Sequence, residues 1–277
     1  CIRDSYGPAR PAHADFSAYC KYHGFEDYRG GGHFSGRITA ALVAAGGVII
    51  PALEGIGISL ATHIAKCAGV SDRKLGDIES DIKSLNAKSF PVLDDARGEE
   101  MAQRILKARE EADSVGGVTE TVICGTPAGV GEPWFDSVES VISHAAFSLG
   151  GVKGVEFGAG FAVADMKGSE CNDPLRVSGG RIVTTTNNNG GINGGITNGM
   201  PIVFRCAVKP TPSIAQQQDT VDFIKNENTQ LSIHGRHDPA IIRRICPVLD
   251  SVAALCVADM LSLRYGTDVL TKGVDDK

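Results

Sequence analysis

The sequence predicts a chain that mixes α-helices with β-strands, a pattern compatible with the α+β fold class. An apolar run of helical length follows residue 39, segments with a period of two follow residue 114, and a long apolar run begins near residue 240. The chain has 277 residues, of which 42% are hydrophobic and 22% charged. It can therefore bury a large core, either as one domain of unusual size or as two.

Composition excludes several classes of function. A net charge of −6 argues against a general nucleic-acid binder, whose affinity rests on a basic surface. We expect no membrane span and no signal peptide in the sequence as given. The eight cysteines are scattered without a Cys-x-x-Cys pair, which favours reduced thiols in a cytoplasmic protein over disulfides or zinc. The chain begins with Cys1 rather than Met, so we expect a fragment whose N-terminal part is missing.

Periodicity and end signals predict the individual elements. Two apolar stretches indicate packed core helices, and a charged amphipathic stretch after Asp94 and Asp95 indicates an outer helix. Asp136 is expected to cap a further apolar helix, and Asp238 followed by Pro239 fits the start of the last one. The predicted helices are 40–50, 56–68, 99–113, 137–149 and 240–263, and the predicted strands are 118–124, 152–158 and 202–208.

The segment 184–201 contains five glycines and five asparagines, which rules out a stable helix or a central strand. Such composition is typical of flexible linkers. However, two glycine pairs recur in register, at 190–191 and 194–195, and the apolar run 202–204 follows at once. These features favour a shaped loop that leads into a buried strand.

Three segments combine the residue types that bind phosphate. Residues 29–33 place three glycines between an arginine and a histidine, 209–213 join a lysine with two hydroxyls and two prolines, and 235–239 bring Arg, His and Asp to a helix start. A plain surface loop and a simple N-cap remain alternatives for the first and third segments. The sequence contains no Walker loop and no Gly-x-Gly-x-x-Gly unit, and we find no Ser-His-Asp order or metal-ligand helix. We therefore expect a phosphorylated ligand or cofactor on glycine-rich loops.

Together these segments closely resemble the chorismate synthase family. The matching blocks follow the family's order across nearly the whole chain: Arg-Pro-Ala-His-Ala-Asp at 10–15, Arg-Gly-Gly-Gly-His-Phe-Ser-Gly-Arg at 29–37, Asp-Ser-Val-Gly-Gly at 113–117, Gly-Val-Gly-Glu-Pro at 129–133, Val-Lys-Gly-Val-Glu-Phe-Gly at 152–158, Asn-Asn-Asn-Gly-Gly at 187–191, Gly-Gly-Ile-Thr-Asn-Gly at 194–199, Lys-Pro-Thr-Pro-Ser at 209–213 and Gly-Arg-His-Asp-Pro at 235–239.

The resemblance implies an activity and a fold. Enzymes of this family eliminate phosphate from 5-enolpyruvylshikimate 3-phosphate to give chorismate, and they need reduced FMN although no net redox change occurs. The flavin donates charge transiently, and its N5 accepts hydrogen from the substrate ring. The family fold is α+β, with two similar α/β halves whose helices lie between antiparallel sheets, and it forms a homotetramer. Residues 1–277 would then be a single chorismate synthase domain that lacks its N-terminal part.

The resemblance also implies roles for individual residues. Asp238 is the base that frees flavin N5, and His13 supplies a proton near the flavin's N1 side. Arg10 holds the anionic groups of the substrate. The implied FMN contacts are His33, Phe34, Ser35, Gly150, Gly151, Gly194, Lys209, Pro210, Thr211, Pro212, Ser213 and Arg236. The resemblance does not specify whether the enzyme reduces its own flavin with NADPH.

The chain departs from the family pattern at a few positions. His33 stands where the family usually has Arg, Ile38 and Asp250 stand where Glu is typical, and glycines at 150–151 replace Asn-Ala or Pro-Ala. The family's N-terminal region carries a Gly-Glu-Ser-His-Gly motif and substrate-binding arginines, so we expect the chain as given to bind FMN poorly. A non-catalytic flavin- or phosphate-binding protein is the alternative, although the presence of both His13 and Asp238 favours the enzyme.

Overall fold

The computed structural model describes residues 6–28, 31–233, 235 and 238–273. Within these ranges the chain combines antiparallel sheets with α-helices, so the α+β prediction is confirmed. The helices are α1 (Asp15–Tyr22), α2 (Ala40–Gly55), α3 (Ile78–Asn86), α4 (Asp95–Glu110), α5 (Val138–Phe147), α6 (Gly168–Cys171), α7 (Ile242–Tyr265) and α8 (Val269–Lys272). Short 3-10 helices cover Gly32–Phe34, Gly36–Thr39, Trp134–Asp136 and Gly160–Asp165.

The strands form one five-stranded antiparallel sheet and three two-stranded hairpins in the described ranges. The strands are β1 (Ser59–Cys67), β2 (Val70–Ser71), β3 (Gly117–Cys124), β4 (Val152–Phe157), β5 (Leu175–Ser178), β6 (Arg181–Thr184), β7 (Ile192–Asn193), β8 (Ile196–Thr197), β9 (Ile202–Val208), β10 (Gln218–Asp222) and β11 (Glu227–Leu231). The large sheet has the order β2-β1-β3-β9-β4, and β5–β6, β7–β8 and β10–β11 are the hairpins.

Helix α7 is the core helix, and it packs against one face of the large sheet. Leu249, Ala253, Val257 and Leu261 on α7 are fully buried in the same apolar cluster as Ile64, Ile123 and Phe204 of the sheet. Helix α2 lies across α7, and the contact is so close that a Cβ at Gly46 would collide with Ser251. Glycine at that position lets the two helix backbones approach each other.

Two described helices, 36–55 and 242–265, are long and apolar enough to cross a membrane by length and composition. The expectation that no apolar segment reaches that length is therefore wrong. The segment 242–265 contains α7, and 72% of its most apolar window is buried inside the protein. Its hydrophobicity is explained by its place in the core.

The predicted helix 56–68 is a strand, and this prediction is wrong. The chain turns at Gly57 (φ +85°), and β1 then pairs with β3 from Ser59–Cys124 to Cys67–Gly117, with one register shift between Ile64 and Lys66. An apolar run of this length does not distinguish a buried strand from a buried helix. The pairing partner, some 60 positions further along the chain, decides the outcome.

Two predicted helix starts are shifted. Ser137 rather than Asp136 caps α5, since its hydroxyl accepts from the backbone N–H of Ser140. Helix α7 begins at Ile242, so Asp238 does not cap it directly. By contrast, Asp94 caps α4 as expected and accepts from the N–H groups of Ala96 and Arg97.

A ladder of charged side chains crosses the face of the sheet opposite α7. His63, Glu120, Arg205 and Glu156 lie opposite one another on β1, β3, β9 and β4. His63 Nε2 is 3.1 Å from Glu120, and Arg205 Nε is 2.8 Å from Glu156. Asp72 completes the ladder at 2.9 Å from His63 Nδ1. Opposite charges alternate in adjacent strands, the arrangement that stabilises cross-strand pairs.

The asparagine-rich segment is an ordered loop, as the sequence favoured, and Asp173 organises it. One carboxylate oxygen of Asp173 accepts from Thr186 Oγ1 and the N–H of Asn188, and the other accepts twice from Asn189. The loop also passes so close to the end of β4 that a Cβ at Gly158 would collide with the carbonyl oxygen of Asn188. Asparagine and glycine therefore serve to fold this loop against the sheet.

Burial alone would raise the pKa of Asp173, but the hydrogen bonds from Thr186, Asn189 and Asn188 lower it below its usual value. We expect Asp173→Ala to reduce the free energy of unfolding by about 2 kcal/mol, since several charge-assisted hydrogen bonds are lost. Amide hydrogen exchange should accelerate at residues 188–189. The exposed Asp165→Ala is the control. Equal protection of residues 188–189 in both variants would contradict the role of Asp173.

Burial alone would lower the pKa of His63, but its hydrogen bonds to Asp72 and Glu120 raise it above the usual value. Charged His63 therefore stabilises the fold below about pH 6.5, and this contribution is lost as the pH rises through the raised pKa. Denaturant unfolding at pH 6 and pH 9 should show a larger loss of stability in the wild type than in His63→Gln. The exposed His144→Gln should behave like the wild type, and an unchanged difference in His63→Gln would refute the assignment.

Candidate functional site

A cavity of about 460 Å³ lies where the segment 10–14, the 3-10 turns after residue 31, the end of β9 and the approach to α7 meet. Its volume falls within the range typical of small-molecule and cofactor sites. The predicted site residues that line it are Arg10, His13, Phe34, Ser35, Gly150, Gly151, Lys209, Pro210, Thr211, Pro212, Ser213 and Asp238. Residues separated by up to 228 positions in sequence are thus brought to one cavity.

The segment that carries His13 is fixed by the β10–β11 hairpin. Pro8 forms an isolated antiparallel bridge with Asp222, and the N–H of Ala9 donates to the carbonyl of Val221 at 2.9 Å. The chain then turns at Ala12, which has a left-handed backbone with φ of +56°. These contacts determine where His13 enters the cavity.

Arg10 is buried and paired with Asp15 at the start of α1. Its Nε and one terminal nitrogen donate to the two carboxylate oxygens at 2.9 and 2.7 Å, and its backbone N–H donates to the same group at 2.9 Å. Bidentate pairing of this kind holds a guanidinium in one orientation. Arg10 therefore brings a fixed positive charge to the cavity wall.

His13 lies against Ser213, with 2.7 Å between Nε2 and the hydroxyl oxygen. Burial lowers the pKa of His13 to about 4, and the nearby charges of Arg10 and Lys209 act in the same direction. The imidazole is therefore neutral at physiological pH in the unliganded cavity. A bound anion would offset these cations and favour the protonated form.

The loop 209–213 follows β9 directly, so the strand carries it to the cavity. The N–H of Lys209 donates to the carbonyl of Gly151 at 2.9 Å, and its ammonium donates to the carbonyl of Ala12 at 2.8 Å. The hydroxyl of Ser114 donates to the carbonyl of Thr211 at 2.6 Å. These bonds tie the loop to three segments of the chain, at Ala12, Ser114 and Gly151.

Glycines 150 and 151 form the floor of the cavity after α5. A Cβ at Gly150 would have only one atom within ordinary contact distance, the carbonyl oxygen of Phe34 at 4.0 Å, so space is open there. Gly151 has a φ of +106° and lies close to Ile241. The backbone is therefore accessible to a flat ligand at Gly150.

Asp238 also lines the cavity. It is partly buried, and one of its oxygens accepts from the N–H of Ala240 at 3.3 Å. The other oxygen forms an ion pair with Arg244 Nε at 2.7 Å. The carboxylate is thus accessible from the cavity and held on its outer side.

Two predicted contacts among the described residues do not line this cavity. His33 is exposed, stacks on Phe34 with 4.1 Å between ring centroids, and lies 3.4 Å from the hydroxyl of Tyr22. Gly194 lies in the β7–β8 turn, next to Gly195, whose carbonyl accepts from Val138 at the start of α5. Helix α5 is about 15 Å long, so this turn and Gly150 lie at its opposite ends. Arg236 lies outside the described residues.

The sequence assigned no role to Arg37, Gly36 or Ile241, although all three line the cavity. Arg37 lies within a block that carried the family resemblance, and its cationic side chain also reaches a neighbouring cavity of about 600 Å³. In the sequence, the signal that could identify Arg37 is a cation next to a glycine, the same pattern as in the segment 29–33.

Comparison with known proteins identifies the family. The family model described as chorismate synthase matches residues 3–262. A chorismate synthase from Pyrococcus abyssi is 45% identical over 92% of this chain and 70% of its own length, and one from Chitinophaga pinensis is 48% identical over 95% and 70%. A crystal structure of chorismate synthase superimposes with a TM-score of 0.72 and 27% identity, covering 91% of this chain and 71% of the other.

Fold, ordered motifs and relatives all point to one family. The matches extend over nearly the whole chain, and it spans about 70% of the length of the relatives. None of them supports the alternative of a non-catalytic binding protein. The chain belongs to the chorismate synthase family, the lyases that form chorismate in the shikimate pathway toward the aromatic amino acids.

Proposed function

We propose that the cavity around His13 and Asp238 binds reduced FMN and 5-enolpyruvylshikimate 3-phosphate, and that phosphate is eliminated there to give chorismate. The observation that carries the proposal is the convergence of His13, Asp238 and the loop 209–213 on one cavity. These groups come from three distant parts of the sequence. Two proton carriers and a cationic loop in one cavity suit an elimination that releases an anion.

The residues present fit FMN. Thr211 Oγ1 is buried and has no hydrogen-bond partner among the described residues, so it can donate to a ligand. Lys209 and Ser213 lie in the same loop and supply an ammonium and a hydroxyl for a phosphate. Gly150 leaves its side of the cavity open to a flat ring. Bound there, reduced FMN supplies charge to the substrate and accepts its hydrogen.

Proton transfer and anion binding are assigned to separate residues of the cavity. His13 is neutral when the cavity lacks an anion, and anionic ligands beside Arg10 and Lys209 would load it with a proton to deliver. Asp238 serves as the proton acceptor in the same cavity. Arg37, which faces both this cavity and its neighbour, binds an anionic group of the substrate.

The resemblance implies that Arg10 holds the anionic groups of the substrate, and we propose that it does so mainly through its charge. Two of its nitrogens are bonded to Asp15, so its charge reaches the substrate mainly across the cavity. This charge also lowers the pKa of His13. Arg10 therefore contributes to both the binding of anions and the protonation state of the imidazole.

We further propose that the protein acts in the cytoplasm as a homotetramer. The seven cysteines in the described ranges are free thiols, which suits a reducing compartment. Trp134 and Phe135 are 85% and 86% exposed on one 3-10 helix, and aromatic side chains of this kind are enriched in subunit interfaces. Other described residues, including Val177 and Phe161, are also exposed.

Replacing Asp238 tests the proposed chemistry. Asp238→Asn keeps the shape of the side chain but removes the base, so we expect kcat to fall at least 100-fold. Oxidised FMN should still bind within threefold of the wild type, measured by flavin fluorescence. Activity is assayed anaerobically on the intact protein with reduced FMN and the phosphorylated substrate. Full turnover in this variant would refute the role of Asp238, and Asp165→Asn is the matched control.

Two glycine substitutions locate the flavin. Gly150→Val places a branched side chain in the open part of the cavity, so we expect its dissociation constant for FMN to rise at least tenfold. Gly194→Asn, which tolerates the left-handed backbone at φ +63°, should change it less than twofold. Titration of the intact protein with FMN measures both. An equal loss in the two variants would return Gly194 to the binding site.

A further inference from the structure

We propose that Arg244 is a positioning residue for Asp238, a role that rests on the proposed function of that carboxylate. Arg244 lies in the first turn of α7, six residues after Asp238. Its Nε is 2.7 Å from Asp238 Oδ2. No sequence pattern singles it out, since its charge resembles that of any solvated helix arginine.

The ion pair is the short contact that holds the carboxylate. Among the described residues, the other oxygen of Asp238 accepts from the N–H of Ala240, at a longer 3.3 Å. Without Arg244 the side chain would keep one long bond, formed with a residue two positions away in its own loop. Rotation of the carboxylate about its side-chain torsions would then be restrained on one side only.

Arg244 does not itself reach the main cavity. Asp238 lines that cavity and both of its neighbours, each of about 600 Å³, whereas Arg244 lines only the two neighbours. The arginine therefore acts on the main cavity through Asp238. We therefore expect an effect of Arg244 on the chemical step to pass through the orientation of this carboxylate.

The position of Arg244 on the helix supports a specific role. A cation in the first turn of a helix lies at the positive end of the helix dipole, which is unfavourable for the helix itself. The pair with Asp238 offsets this cost. Arg243, the adjacent residue, is also exposed but forms no ion pair with a described residue, so it provides a matched control.

A different role for Arg244 would be direct binding of a substrate anion. The side chain is 75% exposed, and the nitrogens not bonded to Asp238 face the neighbouring cavities. Direct binding would affect KM first, because it stabilises the bound substrate and the transition state alike. Positioning of a base affects kcat, because it acts in the chemical step.

The experiment compares Arg244→Gln, Arg244→Ala and Arg243→Gln in the intact protein under anaerobic steady-state conditions. We expect Arg244→Gln to lower kcat on the order of 10- to 100-fold, as for a small misplacement of a catalytic group. KM and the FMN dissociation constant should stay within threefold, and the melting temperature within about 2 °C. Arg243→Gln should match the wild type in all four measurements.

Chemical rescue makes the test specific for the guanidinium. Because Arg244 is largely exposed, ethylguanidinium in solution can enter the space left in Arg244→Ala. We expect it to restore kcat saturably without changing KM, whereas ethylammonium should restore less since it lacks the planar fork. The double variant Asp238→Asn/Arg244→Gln should be no slower than Asp238→Asn alone.

Several outcomes would overturn the proposal. A KM that rises while kcat is preserved would make Arg244 a substrate-binding residue, and unchanged kinetics would leave it without a role in turnover. Additive losses in the double variant would separate it from Asp238, even if Arg244→Gln folds poorly. If Asp238→Asn itself retains full activity, the proposed function of Asp238 fails first, and this result is distinct from normal turnover in Arg244→Gln alone.

Discussion

The packing of α7 against the five-stranded sheet is the contact on which the rest of the structure depends. Helix α7 contributes fourteen buried residues and is covered on its other side by α2. The sheet and helix together fix the two ends that reach the cavity: β9 ends at Val208, next to Lys209, and α7 begins shortly after Asp238. The core therefore sets the distance between the loop proposed to bind phosphate and the carboxylate proposed to act as the base.

The two faces of the five-stranded sheet differ in polarity. The face toward α7 is apolar, whereas the middle row of the other face carries the charged ladder from His63 to Glu156. A buried ion pair is not by itself a strong source of stability, because desolvation offsets much of the attraction. Alternating charges on four adjacent strands do fix their register, since a shift by one residue would turn each charge to the apolar face.

Local patterns predicted the parts of the fold that depend on local chemistry. Strand β9 and the loop after it were placed correctly, because alternating apolar residues end at a Lys-Pro step that cannot continue a strand. The helix expected at 56–68 failed because its partner β3 lies far along the chain. The linker alternative for 184–201 failed for a similar reason, as Asp173 organises the loop from outside it. A short stretch of sequence does not show which distant residues it will pair with.

The site shows the same division between residue type and partner. Sequence placed His13, Asp238 and Lys209 in a functional site, but it could not show that Arg10 is bonded to Asp15 or Asp238 to Arg244. These two ion pairs have opposite arrangements. Asp15 holds a cation that faces the cavity, and Arg244 holds an anion that faces it. Both of these charges are thus backed by an opposite charge, so their orientation is fixed before any ligand binds. Preorganisation of this kind favours the proton transfers proposed for this cavity.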